Sequence, residues 1–394
     1  MNLAKQILTL AEKNSEFTAQ NLSRLIKHKS LSCDEREAAD ALMEMMFDAG
    51  FDEVFKDGLG NVIGRIGNGS KIIAIDGHID TVDAGNKENW SFDPFGGEIK
   101  NGYVHGRGTA DQSGGPASFI TAGKILKQIG LENDVTIYFV GSVMEEDCDG
   151  LCWKYIIEED KIKPDCVVIT EPTNLNIYRG HRGRIEIEVS FYGVSAHGSA
   201  PERGVNAIYS ASKAALEIEK LNNSLVKETF LGKGSVTISE IISASPSLCA
   251  VADYCKIHLD RRLTKGEDKE SSLKQIEKIV EGMSAKVQVV NYNAKAYTGL
   301  QYGMEKYFPT WMIEENHPII QTGVETCMQL FGKKPAIDKW TFSTNGTVIN
   351  GIYGIPVIGF GPGDEILAHA PNEKVSIEHL VKASAFYAYY CSIF

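Results

Sequence analysis

"KIIAIDGHIDTVDAG", residues 71–85, is a short apolar run that ends by presenting a histidine and an aspartate. Its hydrophobicity is nearly continuous from Ile72 to Ile75, as in a parallel strand covered on both faces. Side chains two apart on a strand point the same way, so His78 and Asp80 share a face. Spacing alone makes both candidates for gripping one metal ion. Similar runs recur at "NVIGRIG" (61–67), "VTIYFVGSVMEE" (135–146) and "DCVVITEP" (165–172). Amphipathic helices are expected at "EREAADALMEMMFDAG" (35–50) and "GPASFITAGKILKQIG" (115–130). Strands interleaved with helices predict an α/β domain with a mostly parallel sheet flanked by helices.

From about residue 184 the texture changes. "RIEIEVSFYG" (184–193) alternates apolar and polar, which suits a sheet with one wet face. A helix ("GVNAIYSASKAALEIEKL"), two strands ("SVTISEII", "DYCKIHLDRRL"), a helix ("KESSLKQIEKIVEGM") and a strand ("KVQVVNY") follow. The order β-α-β-β-α-β is ferredoxin-like. After about 295 the first texture returns, with a helix near "IIQTGVETCMQLFG" and a buried strand at "IPVIGFGPG". The expected organisation is a discontinuous domain of residues 1–180 and 295–394, with an inserted domain at 181–294.

The chain has 394 residues, 43% hydrophobic, with 40 basic against 52 acidic side chains and a net charge of −12. That balance argues against nucleic acid or an anionic membrane as the main partner. No run is long and apolar enough to span a bilayer. Residues 1–28 carry charges throughout, unlike a secretory leader, and the expected location is the cytoplasm. Eight scattered cysteines fit free thiols, because Cys148 and Cys152 together fall short of a four-ligand zinc site.

The chemistry-bearing residues gather at strand ends. "AIDGHID" ends on His78 and Asp80, "VGSVMEED" on Glu145, Glu146 and Asp147, and "VVITEP" on Glu171. His369 lies a few residues beyond the strand in "VIGFGPGDEILAHAPNE", and Asp111 follows the glycine-rich "HGRGTADQSGG". Sites in open α/β sheets lie outside the carboxyl ends of the strands. A lone carboxylate there is ordinarily a cap or turn residue, and a lone histidine is ordinarily structural. His28, His105, His258, His317 and His379 are read so, while His181, in the basic "RGHRGR", stays open. Several acidic strand ends converging with two histidines are not ordinary. The set is nitrogen and oxygen without thiolate, suited to zinc, cobalt or manganese.

At these residues the sequence resembles the dinuclear zinc amidohydrolases that include acetylornithine deacetylase, succinyl-diaminopimelate desuccinylase, aminoacylase and glutamate carboxypeptidase. The motifs are "GHIDTV", "WSFDPFGG", "NGYVHGRGTADQSGG", "MEED", "EP", "GVSAHGSAPERGVNAI", "LDRRL" and "AHAPNE", in order from about residue 60 to 375. The resemblance implies two divalent metal ions per chain, most simply zinc. Asp111 would bridge them, His78 and Glu171 would complete one site, and Glu146 and His369 the other. It implies that a metal-bound water attacks an amide carbonyl with Glu145 as general base. Asp80 would hold the His78 ring by accepting its other N–H. His197 would be a lid histidine reaching the partner subunit's site, and Arg262 would clamp a substrate carboxylate. The inserted unit would be a lid and dimerisation domain, and the partners a small amino-acid derivative and a second copy of the chain. Glu145 and Glu146, adjacent at a strand end, would point in opposed directions and so take different tasks.

Two places depart from the family. Where relatives read Asp-Met-Lys-Gly, this chain has Asp111-Gln112-Ser113-Gly114; a cis peptide is expected after Asp111, as in relatives. Where relatives carry Asn-x-x-Pro in the lid, this chain has Cys249-Ala250-Val251-Ala252, and a thiol is a weak hydrogen-bond donor. The expected activity is hydrolysis of an N-acyl, N-carbamoyl or peptide-like bond. The alternative, a catalytically inactive metal-binding or regulatory descendant, would have lost Glu145 or a ligand, and all are present. A nucleotide-binding oxidoreductase, suggested by "GFGPG" (359–363), lacks the full glycine fingerprint and its acidic partner.

Overall fold

The run at 71–78 forms the strand Lys71–His78. It lies fourth in an eight-stranded sheet of the computed structural model, which describes residues 2–131 and 134–394. The order across the sheet is Glu53–Lys56, Val62–Gly67, Val135–Ser142, Lys71–His78, Cys166–Ile169, Val357–Gly359, Ile177–Tyr178 and Ile337–Asp338. The four inner strands, Val135–Ser142 through Val357–Gly359, are parallel to one another. Antiparallel pairing begins at Val62–Gly67 on one side and Ile177–Tyr178 on the other. The inner strands are apolar because helices cover both faces: Ile73, Ile75, Val167, Val168 and Ile169 are all fully buried. Each such side chain stabilises the fold by about 1.5–3 kcal/mol.

Register decides where the chemistry collects. His78 pairs with Ser142, and Ile169 pairs with both Asp76 and Gly359. The carboxyl ends of the inner strands are therefore level, and the loops after them meet at one edge. Helices Arg36–Asp48, Gly114–Ile129, Pro318–Phe331 and Ile377–Ile393 belong to the same unit. The last of these is buried nearly all round and packs on Leu3–Lys13, Ser15–Ile26 and Gly114–Ile129.

The "GFGPG" glycines serve packing here. A Cβ on Gly361 would stand 2.1 Å from the Thr170 carbonyl oxygen and 2.2 Å from that of Glu171. Only glycine lets this loop lie against the backbone that carries Glu171.

The chain divides into two compact units: residues 1–180, 293–302 and 312–394, and residues 181–292 and 303–311. In the second, strands Ser235–Ala244, Tyr254–Leu263, Gly183–Tyr192 and Ala285–Val289 form an antiparallel sheet in that order. Helices Ala207–Ser224 and Lys269–Ile279 pack on it through Ala211, Ala214, Ile218 and Ile276 against Ile185, Ile187, Val189 and Phe191. This is the β-α-β-β-α-β arrangement. The segment after 294 divides more finely than its texture suggests. Tyr307–Phe308 pairs with Arg184 and Ile185, which draws residues 303–311 into the second unit. Among the described residues no helix is long and apolar enough to cross a membrane, and none of the eight cysteines forms a disulfide.

Candidate metal centre

His78 is the last residue of its strand and is buried. Its Nδ1 lies 2.8 Å from the backbone oxygen of Asp80. A carbonyl oxygen only accepts, so Nδ1 carries the hydrogen and Nε2 is left facing carboxylates. Around Nε2 stand Asp111 Oδ1 at 3.1 Å, Glu171 Oε1 at 3.5 Å and Glu145 Oε2 at 3.8 Å.

Asp111 faces two ways. While Oδ1 lies toward His78, Oδ2 is 3.4 Å from Nε2 of His369. His369 Nε2 in turn lies 2.9 Å from Glu146 Oε2. The loop that presents Asp111 turns at Gly108, whose φ of +86° is a left-handed conformation and whose Cβ would lie 2.5 Å from Thr81 Cγ2. The Asp111–Gln112 peptide is cis. A buried carboxylate, Glu373, grips this loop. It accepts from the backbone N–H groups of Gly108 at 3.0 Å, Ala110 at 2.7 Å and Asp111 at 3.0 Å, and from Arg107 Nη1 at 2.6 Å.

The strand before Glu145 ends at Ser142, so Glu145 and Glu146 sit in a turn beyond it. Strand alternation therefore does not separate them; the turn does, entered through Met144 at φ +59°. Nor does the Asp80 carboxylate serve chiefly to hold the His78 ring. It lies 3.6 Å from Nδ1, farther than its own backbone oxygen. The strand stops before Asp80, which frees its side chain to accept from Ser32 Oγ at 2.7 Å and from the N–H groups of Glu145 at 3.2 Å and Glu146 at 3.1 Å.

Ligand atoms of His78, Asp111 and Glu146 lie within 4.8 Å of one another, as do those of His78, Glu145 and Glu171. Burial and the neighbouring carboxylates raise Glu145 well above the ordinary range, and burial with Asp111 raises Glu171 to about 8. Burial alone would depress His78, but Asp111, Glu145 and Glu171 together hold it well above its usual value. Contact with Glu146 raises His369 to about 9. Two histidines among this many buried acids leave negative charge that divalent cations would neutralise. Oε1 of Glu145, Oε1 of Glu146 and Oε2 of Glu171 are buried without a hydrogen-bond partner. An all-nitrogen-and-oxygen set with such unengaged oxygens fits zinc, cobalt or manganese.

The remaining expected site residues belong to the second unit. His197 is exposed on a loop, its Nδ1 accepting from Ser199 N–H at 3.1 Å. Cys249, also exposed, lies beside that loop and accepts from Gly198 N–H at 2.7 Å through its carbonyl. Arg262 donates to both oxygens of Asp260, from Nε at 2.8 Å and from Nη2 at 2.9 Å. His181 is structural: buried, with Nε2 accepting from Trp311 Nε1 at 2.6 Å.

Residues 74–392 match the model of peptidase family M20/M25/M40. The chain belongs to this family. It is accordingly a metal-dependent amidohydrolase or peptidase. The M20 chain is 50% identical over 386 residues to the uncharacterized protein YgeY of Escherichia coli (strain K12), covering 98% of this chain and 96% of that one. It is 28% identical over 325 residues to acetylornithine deacetylase of Vibrio campbellii, covering 81% and 80%. In fold it resembles YxeP of Bacillus subtilis, a dinuclear metal-binding peptidase, with a TM-score of 0.70 over 97% of this chain and 98% of that one at 15% identity.

Sequence reasoning passed over Glu35, Arg107, Glu373 and Asn345. Glu373 stood in the quoted "AHAPNE", but nothing local marks a glutamate that bonds to loop amides more than 260 residues earlier. Asn345 donates to Asp76 Oδ2 at 2.9 Å and to Ser142 Oγ at 3.2 Å, bracing the strand ends that lead to His78 and Glu145.

Proposed function

We propose that the chain hydrolyses the amide bond of a small N-acyl, N-carbamoyl or peptide-like amino-acid derivative, using two divalent cations and Glu145 as general base. The observation that carries this reading is Asp111, whose two carboxylate oxygens face two different histidines. His78 and Glu171 would hold one cation, Glu146 and His369 the other, with Asp111 between; zinc is the first choice, cobalt or manganese the others. Bound there, such ions would lower the pKa of water to about 7 and polarise a carbonyl.

Glu145 is the carboxylate farthest from His78 Nε2 among the three that face it, at 3.8 Å. Its raised proton affinity suits a group that takes a proton from the attacking water and returns it to the leaving amine. Arg262 would hold the substrate carboxylate in its planar fork; Asp260 takes only the edge formed by Nε and Nη2. His197 would donate to the oxyanion across a homodimer, with the second unit as lid and dimerisation domain and the cytoplasm as its location. Presence of every ligand and of the base favours an enzyme over an inactive descendant.

The test is a panel of N-acetyl, N-succinyl and N-carbamoyl amino acids and dipeptides with metal-reconstituted protein. Glu145→Ala should lower turnover of the best substrate roughly 10²–10⁴-fold while metal content is kept. Full turnover in that variant would end the reading.

A further inference from the structure

We propose that Glu35 is a positioning residue: with Asp80 it grips three consecutive backbone N–H groups, those of Met144, Glu145 and Glu146, and so sets where the two adjacent glutamates project. The inference rests on the roles just given to Glu145 and Glu146.

Two adjacent acids in a short turn repel each other, and no strand ladder holds them beyond Ser142. Their backbone is instead captured from outside. Glu35 Oε1 accepts from Met144 N–H at 3.0 Å, and the two oxygens of Asp80 accept from Glu145 and Glu146. Glu35 is fully buried although it precedes the helix Arg36–Asp48, and its side chain does not cap that helix. Its reach is prepared locally: Cys33, at φ +72°, turns so that its own N–H donates to the same Oε1 at 3.0 Å.

The loop that carries Glu35 is tied to the loop that carries Asp80. Thr81 N–H donates to Ser30 O at 2.7 Å, and Ser32 Oγ donates to Asp80 Oδ2. Burying a carboxylate is costly, and the second oxygen of Glu35 has no hydrogen-bond partner. The side chain is therefore used through one acceptor atom, on the backbone of the turn. Loss of that acceptor releases Met144, and through it the direction of Glu145.

The test compares Glu35→Gln, Glu35→Ala and Glu35→Asp in the full, metal-reconstituted chain. Gln keeps the acceptor and should stay within about 3-fold of the parent kcat. Ala removes it and Asp withdraws it by a methylene; both should lose roughly 30–100-fold in kcat with KM little changed, as a misplaced catalytic group does. Asp carries the comparison if Ala does not fold. The second readout is the cobalt(II) absorption spectrum of cobalt-loaded protein, which should change in Ala and Asp because Glu146 moves, and not in Gln. Combined with Glu145→Ala, Glu35→Ala should cost little more, since its effect passes through Glu145. Parent-like kcat and cobalt spectra in Ala and Asp, while Glu145→Ala alone is dead, would overturn this proposal only. Equal loss in Gln and Ala would overturn it too. An active Glu145→Ala would instead remove the reading beneath it.

Discussion

Replacing Glu373 by alanine tests the loop that presents Asp111. The carboxylate is fully buried and receives four donors, the Arg107 guanidinium and the N–H groups of Gly108, Ala110 and Asp111. Arg107 is itself only 3% exposed. Removing one partner of a buried ion pair costs about 3–5 kcal/mol, because the other charge stays buried and unpaired. Each orphaned amide adds up to about 1–3 kcal/mol, with overlap that prevents simple addition. A loss of at least about 4 kcal/mol is expected, a large share of the roughly 5–15 kcal/mol that holds a protein folded. The assay is urea unfolding of metal-free protein followed by tryptophan fluorescence; Trp90 reports locally, its ring 5.2 Å from the Arg107 guanidinium. It is run at pH 8 because burial pushes Glu373 up to about 7, and the carboxylate must be charged for the comparison. Arg107→Met in the Glu373→Ala background should restore about 2 kcal/mol by removing the stranded charge. A Glu373→Ala cost under about 1 kcal/mol, or an Arg107→Met cost identical in both backgrounds, would refute the reasoning.

Two further outcomes concern the proposed dimer and an acid pair away from the candidate metal centre. If His197 completes the partner subunit's site, mixing His197→Ala with Glu145→Ala chains should restore roughly a quarter of parent activity through hybrid dimers with one intact site; no recovery after demonstrated subunit exchange would count against the shared site. Burial and the nearby Asp57 raise Asp160 from 3.8 to about 7, and the two carboxyls share a hydrogen bond. A carboxyl that keeps its proton more tightly when folded weakens the fold as pH climbs from about 4 to 7. Asp160→Asn should therefore raise Tm by about 1–2 °C at pH 8, with the gain vanishing near pH 4, and a thermal melt without that pH-dependent gain would contradict the account.

Apolar runs near-continuous in one region and alternating in another were enough to separate a parallel sheet from an antiparallel one. Covered strands need hydrophobic residues on both faces and half-covered strands on one, so that contrast is written locally. Candidates such as His78, Glu145, Glu146 and Glu171 were legible in the same way, since strand ends in such sheets are where ligands can be placed, whereas Asp111 and His369 lie on loops. What the side chains do to one another was less legible. Spacing put Asp80 on the face of His78, yet the strand ends first, and the carboxylate turns to the amides of Glu145 and Glu146. The tasks of Glu35 and Glu373 carry no local signature, because each depends on backbone N–H groups more than a hundred residues away, Met144 for Glu35 and the Gly108–Asp111 loop for Glu373. Sequence by itself nominated the residues that could bind metal and marked the strands that lead to several of them. Only the tertiary structure decided which buried carboxylates face the centre and which hold its loops, since backbone amides look alike in any sequence and acquire partners only when distant loops meet.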